Sequence, residues 1–204
     1  MSFHARTLTT LLLALPAFAA LAASVDIQAL GKDGKPLADT VVFLESRDAK
    51  AAARPLPQVE VAQAERRFVQ RVTVVTVGTE VHFPNRDKVR HHVYSFSPAK
   101  TFELKLYAGT PANPVLFDKP GIAALGCNIH DSMVAWVVVV ETPHFGQTDA
   151  KGLVHLDNVP PGSYRLRSWH PALPPGAPAL DEALVVAAAG SQAAVQLPLS
   201  AAAP

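Results

Sequence analysis

The chain has 204 residues, of which 49% are hydrophobic and 17% charged, and its formal net charge is +1. This length allows one large domain or two small ones, and the balanced charge argues against a nucleic-acid partner. The single cysteine, Cys127, excludes an internal disulfide.

Residues 1–23 have the pattern of a secretory signal peptide. Arg6 precedes an uncharged apolar run over 8–22, and the run ends in small residues that suit cleavage after Ala22 or Ala23. The run is too short for a comfortable membrane span, and no later segment approaches one. We therefore expect an exported, periplasmic protein without a membrane span. The alternative interpretation is a buried N-terminal helix.

The rest of the chain shows the pattern of many short β-strands separated by turn residues. β-Branched and alternating apolar runs predict strands at 25–29, 40–45, 72–77, 80–83, 92–96, 102–106, 115–117, 133–141, 153–156, 164–169, 184–187 and 194–197. Only residues 49–54 suggest a helical turn or two. This pattern predicts an all-β protein made of one or more β-sandwiches.

Two distant segments resemble the halves of one known module. Residues 31–44 resemble the opening hairpin of the transthyretin-like, carboxypeptidase-regulatory β-sandwich, and residues 148–166 resemble its continuation. We predict a separate β-sandwich at 59–143, inserted in or fused to a transthyretin-like module made from 24–46 and 144–200, with a disordered tail at 201–204. The alternative is that 24–46 adds strands to one larger sandwich.

The loop 126–133 carries the most informative motif. Its Cys-x2-His-x2-Met spacing brings together the thiolate of Cys127, the imidazole of His130 and the thioether of Met133. These donors suit copper that changes between Cu(I) and Cu(II). A lone cysteine in an exported protein is otherwise an intermolecular bridge or a buried inert residue. A blue-copper site needs a second histidine from elsewhere in the chain.

An upstream segment offers that histidine. Gly78-Thr79, Asn85 and His91-His92-Val93, together with the 126–133 loop, resemble the cupredoxin family, and the short ligand loop is most similar to that of amicyanin. The whole chain also resembles cupredoxin-like proteins labelled methylamine utilization proteins. The resemblance implies a Greek-key β-sandwich over roughly 59–142 that binds one type 1 copper ion.

The same resemblance implies roles for individual residues. The copper ligands would be His91, Cys127, His130 and Met133, with His91 buried and His130 nearest the surface. Around them, Asn85 would tie the two ligand loops together. His92 stands where the family usually has asparagine, and it is either a brace or an alternative ligand. Asn128 is one of the residues that replace the prolines common in this loop.

A closed four-ligand copper site predicts one-electron transfer without a substrate pocket. The chain has no His-x-His pair and no second cysteine, as multicopper and binuclear sites would require, so we expect no enzyme activity. We expect instead an electron carrier whose partner is a redox protein such as a dehydrogenase or a c-type cytochrome. Two alternatives remain: copper delivery without a redox role, and a structural sandwich with a vestigial site.

Basic residues in 65–90 form either a basic rim beside the site or an ordinary solvated face.

Overall fold

The computed structural model describes residues 22–200 of the chain. The predicted tail at 201–204, and the predicted signal peptide apart from Ala22 and Ala23, lie outside the described residues. Within the described part, no helix combines the length and the apolar character that crossing a membrane requires.

The described residues form seventeen strands and one short helix. These elements are β1 Ala23–Leu30, β2 Val41–Glu45, α1 Arg47–Ala52, β3 Val59–Glu60, β4 Gln63–Ala64, β5 Arg67–Phe68, β6 Val72–Thr76, β7 Thr79–His82, β8 His91–Ser97, β9 Lys100–Tyr107, β10 Val115–Phe117, β11 Gly121–Leu125, β12 Ala135–Val140, β13 Phe145–Gln147, β14 Leu153–Val159, β15 Gly162–Trp169, β16 Leu180–Val186 and β17 Ser191–Gln196.

The all-β prediction is confirmed, and every predicted strand overlaps an observed one. The sequence pattern did not reveal β3, β4, β5, β11 and β13. Four of these have only two or three residues, which is too short to show an alternating period, and β11, Gly121–Leu125, contains a glycine and two alanines, which are weak strand formers. The helical turn begins at Arg47, two residues before the predicted position. Ser46 caps it, since its Oγ accepts a hydrogen bond from the Ala49 N–H at 3.1 Å.

Strands from the two ends of the chain pair with each other. β1 lies between β14 and β17, and β2 lies between β13 and β15, with β16 at the edge next to β15. The stretch between β2 and β13 forms the other sheets, in the orders β10-β7-β3, β11-β12-β6, β8-β9 and β4-β5. The chain therefore leaves one group of strands after β2 and returns to it after β12.

The points of departure and return are close together. The ammonium group of Lys50, in α1, lies 2.8 Å from the carboxylate of Glu141, directly after β12. The pair is largely exposed on the lysine side, so it contributes little stability. Its position shows that both connections lie on one side of the molecule.

Two hydrophobic cores lie on opposite faces of β12. The first core contains residues of β1, β2, β14, β15 and β17, and the second core contains residues of β7, β10, β11 and the 126–133 loop. Val138 and Val140 belong to the first core, whereas Ala135, Val137 and Val139 belong to the second. Because alternate side chains of a strand point to opposite faces, β12 is buried on both sides. This explains its unbroken apolar sequence.

Candidate metal centre

Two segments deliver the predicted metal ligands. His91 is the first residue of β8, and Cys127, His130 and Met133 lie in the loop that joins β11 to β12. Tyr94 of β8 holds the start of this loop through two backbone hydrogen bonds with Gly126, of 3.0 and 3.1 Å. The strand pairing thus places the histidine segment beside the cysteine loop.

Gly126 is required for this close approach. A Cβ atom at position 126 would lie 2.6 Å from the ring of Tyr94, which is closer than any normal contact. Any other residue would force the Tyr94 ring or the loop to move. The glycine before the cysteine is therefore part of how the site is built.

The structure brings three predicted ligands together. One donor atom from each of His91, Cys127 and His130 lies within 4.8 Å of the others. The His91 Nδ1 atom is 4.0 Å from the Cys127 Sγ atom, and the two imidazole rings have centroids 5.2 Å apart. His91 is fully buried, Cys127 is 4% exposed and His130 is partly exposed. Of the three residues, His130 is thus the one that solvent reaches most easily.

Met133 belongs to the same buried region as Cys127. It is 1% exposed and packs in the second core together with the cysteine. Its backbone N–H donates to the carbonyl of His130 at 2.9 Å, which closes the loop into a tight turn. The loop thus keeps the thioether out of solvent.

Asp87 fixes the orientation of His91, a role the sequence analysis did not assign. The Asp87 Oδ2 atom lies 2.7 Å from the His91 Nε2 atom. An ionised carboxylate only accepts hydrogen bonds, so Nε2 carries the proton and Nδ1 keeps its lone pair toward Cys127. Carboxylate–histidine pairs of this kind orient metal ligands and raise their basicity. In the sequence, the one signal for this role is a carboxylate four residues before a candidate ligand.

A tight turn keeps Asp87 ionised. The backbone N–H groups of Glu65 and Arg66 donate to its two oxygens at 2.7 and 2.9 Å. Burial opposes ionisation, but the hydrogen bonds from the Arg66 N–H and the His91 ring outweigh it and lower the pKa of Asp87. Glu65 and Arg66 both have positive φ, at 52° and 58°. These angles suit the type I′ turn of a two-residue hairpin between β4 and β5.

The donor atoms fit a soft metal ion. The Nδ1 atom of His130 is buried and has no hydrogen-bond partner among the described residues, although a buried polar atom normally has one. On the cysteine, the Ile129 N–H points at Sγ from 3.4 Å, which favours the thiolate. A thiolate, two imidazole nitrogens and a nearby thioether form the donor set that copper prefers. The residues present therefore fit a copper ion.

Asn85 organises one ligand segment but does not tie the two together as predicted. Its side-chain N–H groups donate to the carbonyls of Val89 and Tyr107 at 2.9 Å, and its Oδ1 accepts from the Asp87 N–H at 2.9 Å. All three bonds lie on the side of His91. The amide therefore shapes the 85–91 loop, and the connection to the cysteine loop is made by other residues.

His92 and Asn128 make that connection. The Asn128 Nδ2 atom lies 3.1 Å from the His92 Nδ1 atom. The His92 Nε2 atom is 2.9 Å from a carboxylate oxygen of Glu103 on β9, close enough for an ion pair but outside hydrogen-bond alignment. His92 thus lies between β9 and the cysteine loop, as the brace interpretation expects. It does not belong to the group of three converging donor atoms.

The two adjacent histidines of β8 are both buried but lie on different faces of the strand. His91 is 0% exposed and converges with Cys127. His92 is 8% exposed, and its ring lies 5.9 Å from that of Tyr94, two residues further along, as regular alternation expects. The pairing of β8 with β9 shifts register between His91 and Val93, and such bulges are frequent beside functional sites.

The basic stretch 65–90 is only partly neutralised. Arg67 pairs with Glu65, and Arg86 pairs with Glu60 at 2.9 Å. Arg66, Lys88 and Arg90 are exposed. Because Arg66 and Lys88 flank Asp87 in a shallow pocket, part of this charge lies beside the His91 side of the centre.

Comparison with known proteins gives structural similarity without a matching family. No protein-family model matches, and no curated protein matches. A mutant of amicyanin solved in a reduced Cu(I) form is 20% identical, with a TM-score of 0.38 over 48% of this chain and 98% of its own. The Cu-containing nitrite reductase from Thermus scotoductus SA-01 is 26% identical, with a TM-score of 0.39 over 44% of this chain and 23% of its own. Because these values are low, the function has to be inferred from the donor set itself.

Proposed function

We propose that this chain is an exported mononuclear copper protein that carries one electron at a time between periplasmic redox partners. The observation that carries the proposal is the convergence of His91, Cys127 and His130 within 4.8 Å. In addition, the Nδ1 atom of His130 is buried and has no hydrogen-bond partner within residues 22–200. Met133 completes the proposed ligand set. Copper held by these residues would supply a Cu(I)/Cu(II) couple of the type 1 class.

The surrounding residues support electron transfer in two ways. Asp87 holds the His91 ring in one tautomer through a 2.7 Å contact, so the donor nitrogen is oriented before any metal binds. His130 is the most exposed of the three converging residues. Its ring edge is therefore the proposed place where electrons enter and leave. The resemblance to proteins labelled methylamine utilization makes a dehydrogenase, or a c-type cytochrome, the partner class to test.

We propose further that the copper-binding region 59–143 interrupts a transthyretin-like module formed by 24–46 and 144–200. The pairing of β1 with β14 and β17, and of β2 with β13 and β15, supports this division. The contact between Lys50 and Glu141 supports it too, because an inserted domain needs its two connections close together. For export, cleavage after Ala22 would leave β1, which begins at Ala23, intact.

Anaerobic titration with Cu(II), followed by visible and EPR spectroscopy, tests the proposed function. We expect one copper per chain, an intense thiolate-to-copper band and narrow copper hyperfine splitting. Cys127→Ala should abolish the band because it removes the sulfur donor. Ser132→Ala is the matched control, since Ser132 is exposed in the same loop, and it should keep the band.

Other outcomes identify the alternatives. Binding of Cu(I) alone, without a reversible couple, would assign the chain to copper delivery. Absence of stoichiometric metal would leave a structural sandwich with a vestigial site. A coloured site that survives in Cys127→Ala would show that the ligand assignment is wrong.

A further inference from the structure

A cavity lies where the two groups of strands meet, away from the converging ligand atoms. Its volume is about 860 Å³, within the range of small-molecule sites. Trp136 of β12 and Trp169 of β15 both line it, with ring centroids 6.1 Å apart. Because the two tryptophans come from different groups of strands, the cavity exists only when both groups are folded together.

The walls are almost entirely apolar. Ile122 and Ala124 of β11 form one side, and Pro171, Leu173 and further residues of the proline-rich 171–178 loop form the other. Ala124 pairs directly with Trp136 across the strands. Indole faces and proline rings offer flat, rigid surfaces that bind an apolar body at low entropic cost.

Lys119 is the one charged residue that lines the cavity. The adjacent carboxylate of Asp118 is already paired with Lys100 at 3.0 Å, and no described carboxylate lies within salt-bridge distance of Lys119. The guanidinium of Arg71 lies 5.4 Å from the centre of the Trp136 ring and adds positive charge nearby. The local charge thus favours an anion.

The indole N–H of Trp169 is a second polar group that lacks a hydrogen-bond partner among the described residues. The residue is 4% exposed. Buried indole N–H groups normally find an acceptor, and a bound carboxylate would supply one.

We propose that this cavity binds an amphiphilic organic monoanion, whose apolar body packs between Trp136, Trp169 and the proline loop. Its carboxylate would face Lys119. The site is independent of the proposed copper function, since it uses none of the proposed ligands and needs no metal. A small molecule is favoured over a protein partner by the single uncompensated cation and the unused donor within an apolar cavity of this size.

Intrinsic fluorescence tests the proposal directly, because both tryptophans of the chain line the cavity. The full chain is titrated with octanoate, octanol and octylammonium, which share an apolar tail and differ in charge. Octanoate should shift the emission saturably, with a Kd on the order of 1 mM for a ligand of this size. Octanol should bind more weakly and octylammonium weakest.

Two variants separate the apolar and charged contributions. Ala124→Phe should fill the cavity and abolish the octanoate response, whereas Ala183→Phe, at an exposed position of β16, should not. Lys119→Gln should weaken octanoate about 2- to 5-fold and leave octanol unchanged. The Lys119 variant keeps the test decisive even if Ala124→Phe fails to fold.

Five results would overturn the proposal. They are a linear, non-saturating response to octanoate, equal binding of octylammonium, unchanged octanoate binding by Lys119→Gln, full octanoate binding by Ala124→Phe, or a wild-type dimer that Ala124→Phe dissociates. The last would assign the surface to a second copy of the chain. None depends on copper, so failure here is distinguishable from failure of the proposed metal function.

Discussion

The two cores differ in the polar groups that they bury. Around the first core, the buried polar residues are hydroxyl residues such as Thr40, Thr148 and Ser168. Thr148 is typical: its Oγ1 accepts from the Thr40 N–H at 3.0 Å and donates to the Leu37 carbonyl at 2.7 Å. The Thr40 hydroxyl likewise donates to the Leu37 carbonyl at 3.3 Å, so both threonine hydroxyls have partners close by.

The second core buries amides and imidazoles in addition to hydroxyl residues such as Ser95. Gln63, Asn85, His91 and His92 are all buried, and the His130 Nδ1 atom is buried without a hydrogen-bond partner among the described residues. Burial of an unpaired polar atom costs free energy, so a protein retains it where it has a use. The contrast agrees with the proposal that the second core, unlike the first, also builds a binding site.

The largest expected effect tests whether the two cores unfold together. Phe117→Ala, in the second core, should lower the free energy of unfolding by about 3–5 kcal/mol, and Leu44→Ala, in the first, by about 2–5 kcal/mol. Both side chains are 0% exposed. Because β12 belongs to both cores, each variant should shift one shared transition in urea, followed by far-UV circular dichroism.

Two separate transitions, each moved by only one of these variants, would contradict this expectation. The cores would then be independent domains that merely touch through β12.

A second prediction concerns the polar network of the second core. Asp87→Asn should weaken metal binding about 10- to 100-fold, because the carboxylate that orients His91 is lost. It should also lower the free energy of unfolding by about 1–3 kcal/mol, since the amide cannot accept both N–H groups of the 65–66 turn. Copper affinity by competition with a chelator, and urea unfolding of the metal-free protein, measure the two effects.

The matched control is Asp118→Asn, which removes a carboxylate that pairs with Lys100 outside the ligand cluster. Equal metal affinity for the Asp87 and Asp118 variants would show that Asp87 does not contribute to metal binding.

The smallest effect lies on the outer surface of the first core. Hydrogen bonds from His155 to Asp26 and Asp157 raise the pKa of this imidazole above 6.5. The protonated form is therefore favoured by folding, and its stabilisation is fully present below pH 6.5 and lost as the pH rises through the higher folded-state pKa. His155→Gln should flatten this part of the pH dependence of the melting temperature. An unchanged profile would show that these exposed contacts contribute nothing measurable.

Local patterns predicted much of this protein. The alternating runs in β1 and β8 identified strands because burial on one face repeats every second residue. The Cys-x2-His-x2-Met spacing identified three candidate ligands because one short loop contains all three. The sequence predicted the roles of Asn85 and Asp87 less well, because these roles depend on which loop each side chain faces. The position of His92 between β9 and the cysteine loop likewise depends on the pairing of β8 with β9.

By itself, the sequence determined the chemistry of the donor atoms and the all-β class, because both depend on residue type and short-range spacing. Only the tertiary structure decided that the His91 Nδ1 atom faces Cys127, that Asn128 and His92 join the two ligand segments, and that β12 has a core on each face. It also placed Trp136 and Trp169 in the wall of one cavity. These features arise from contacts between residues distant in the chain, and such contacts are set by strand register and packing.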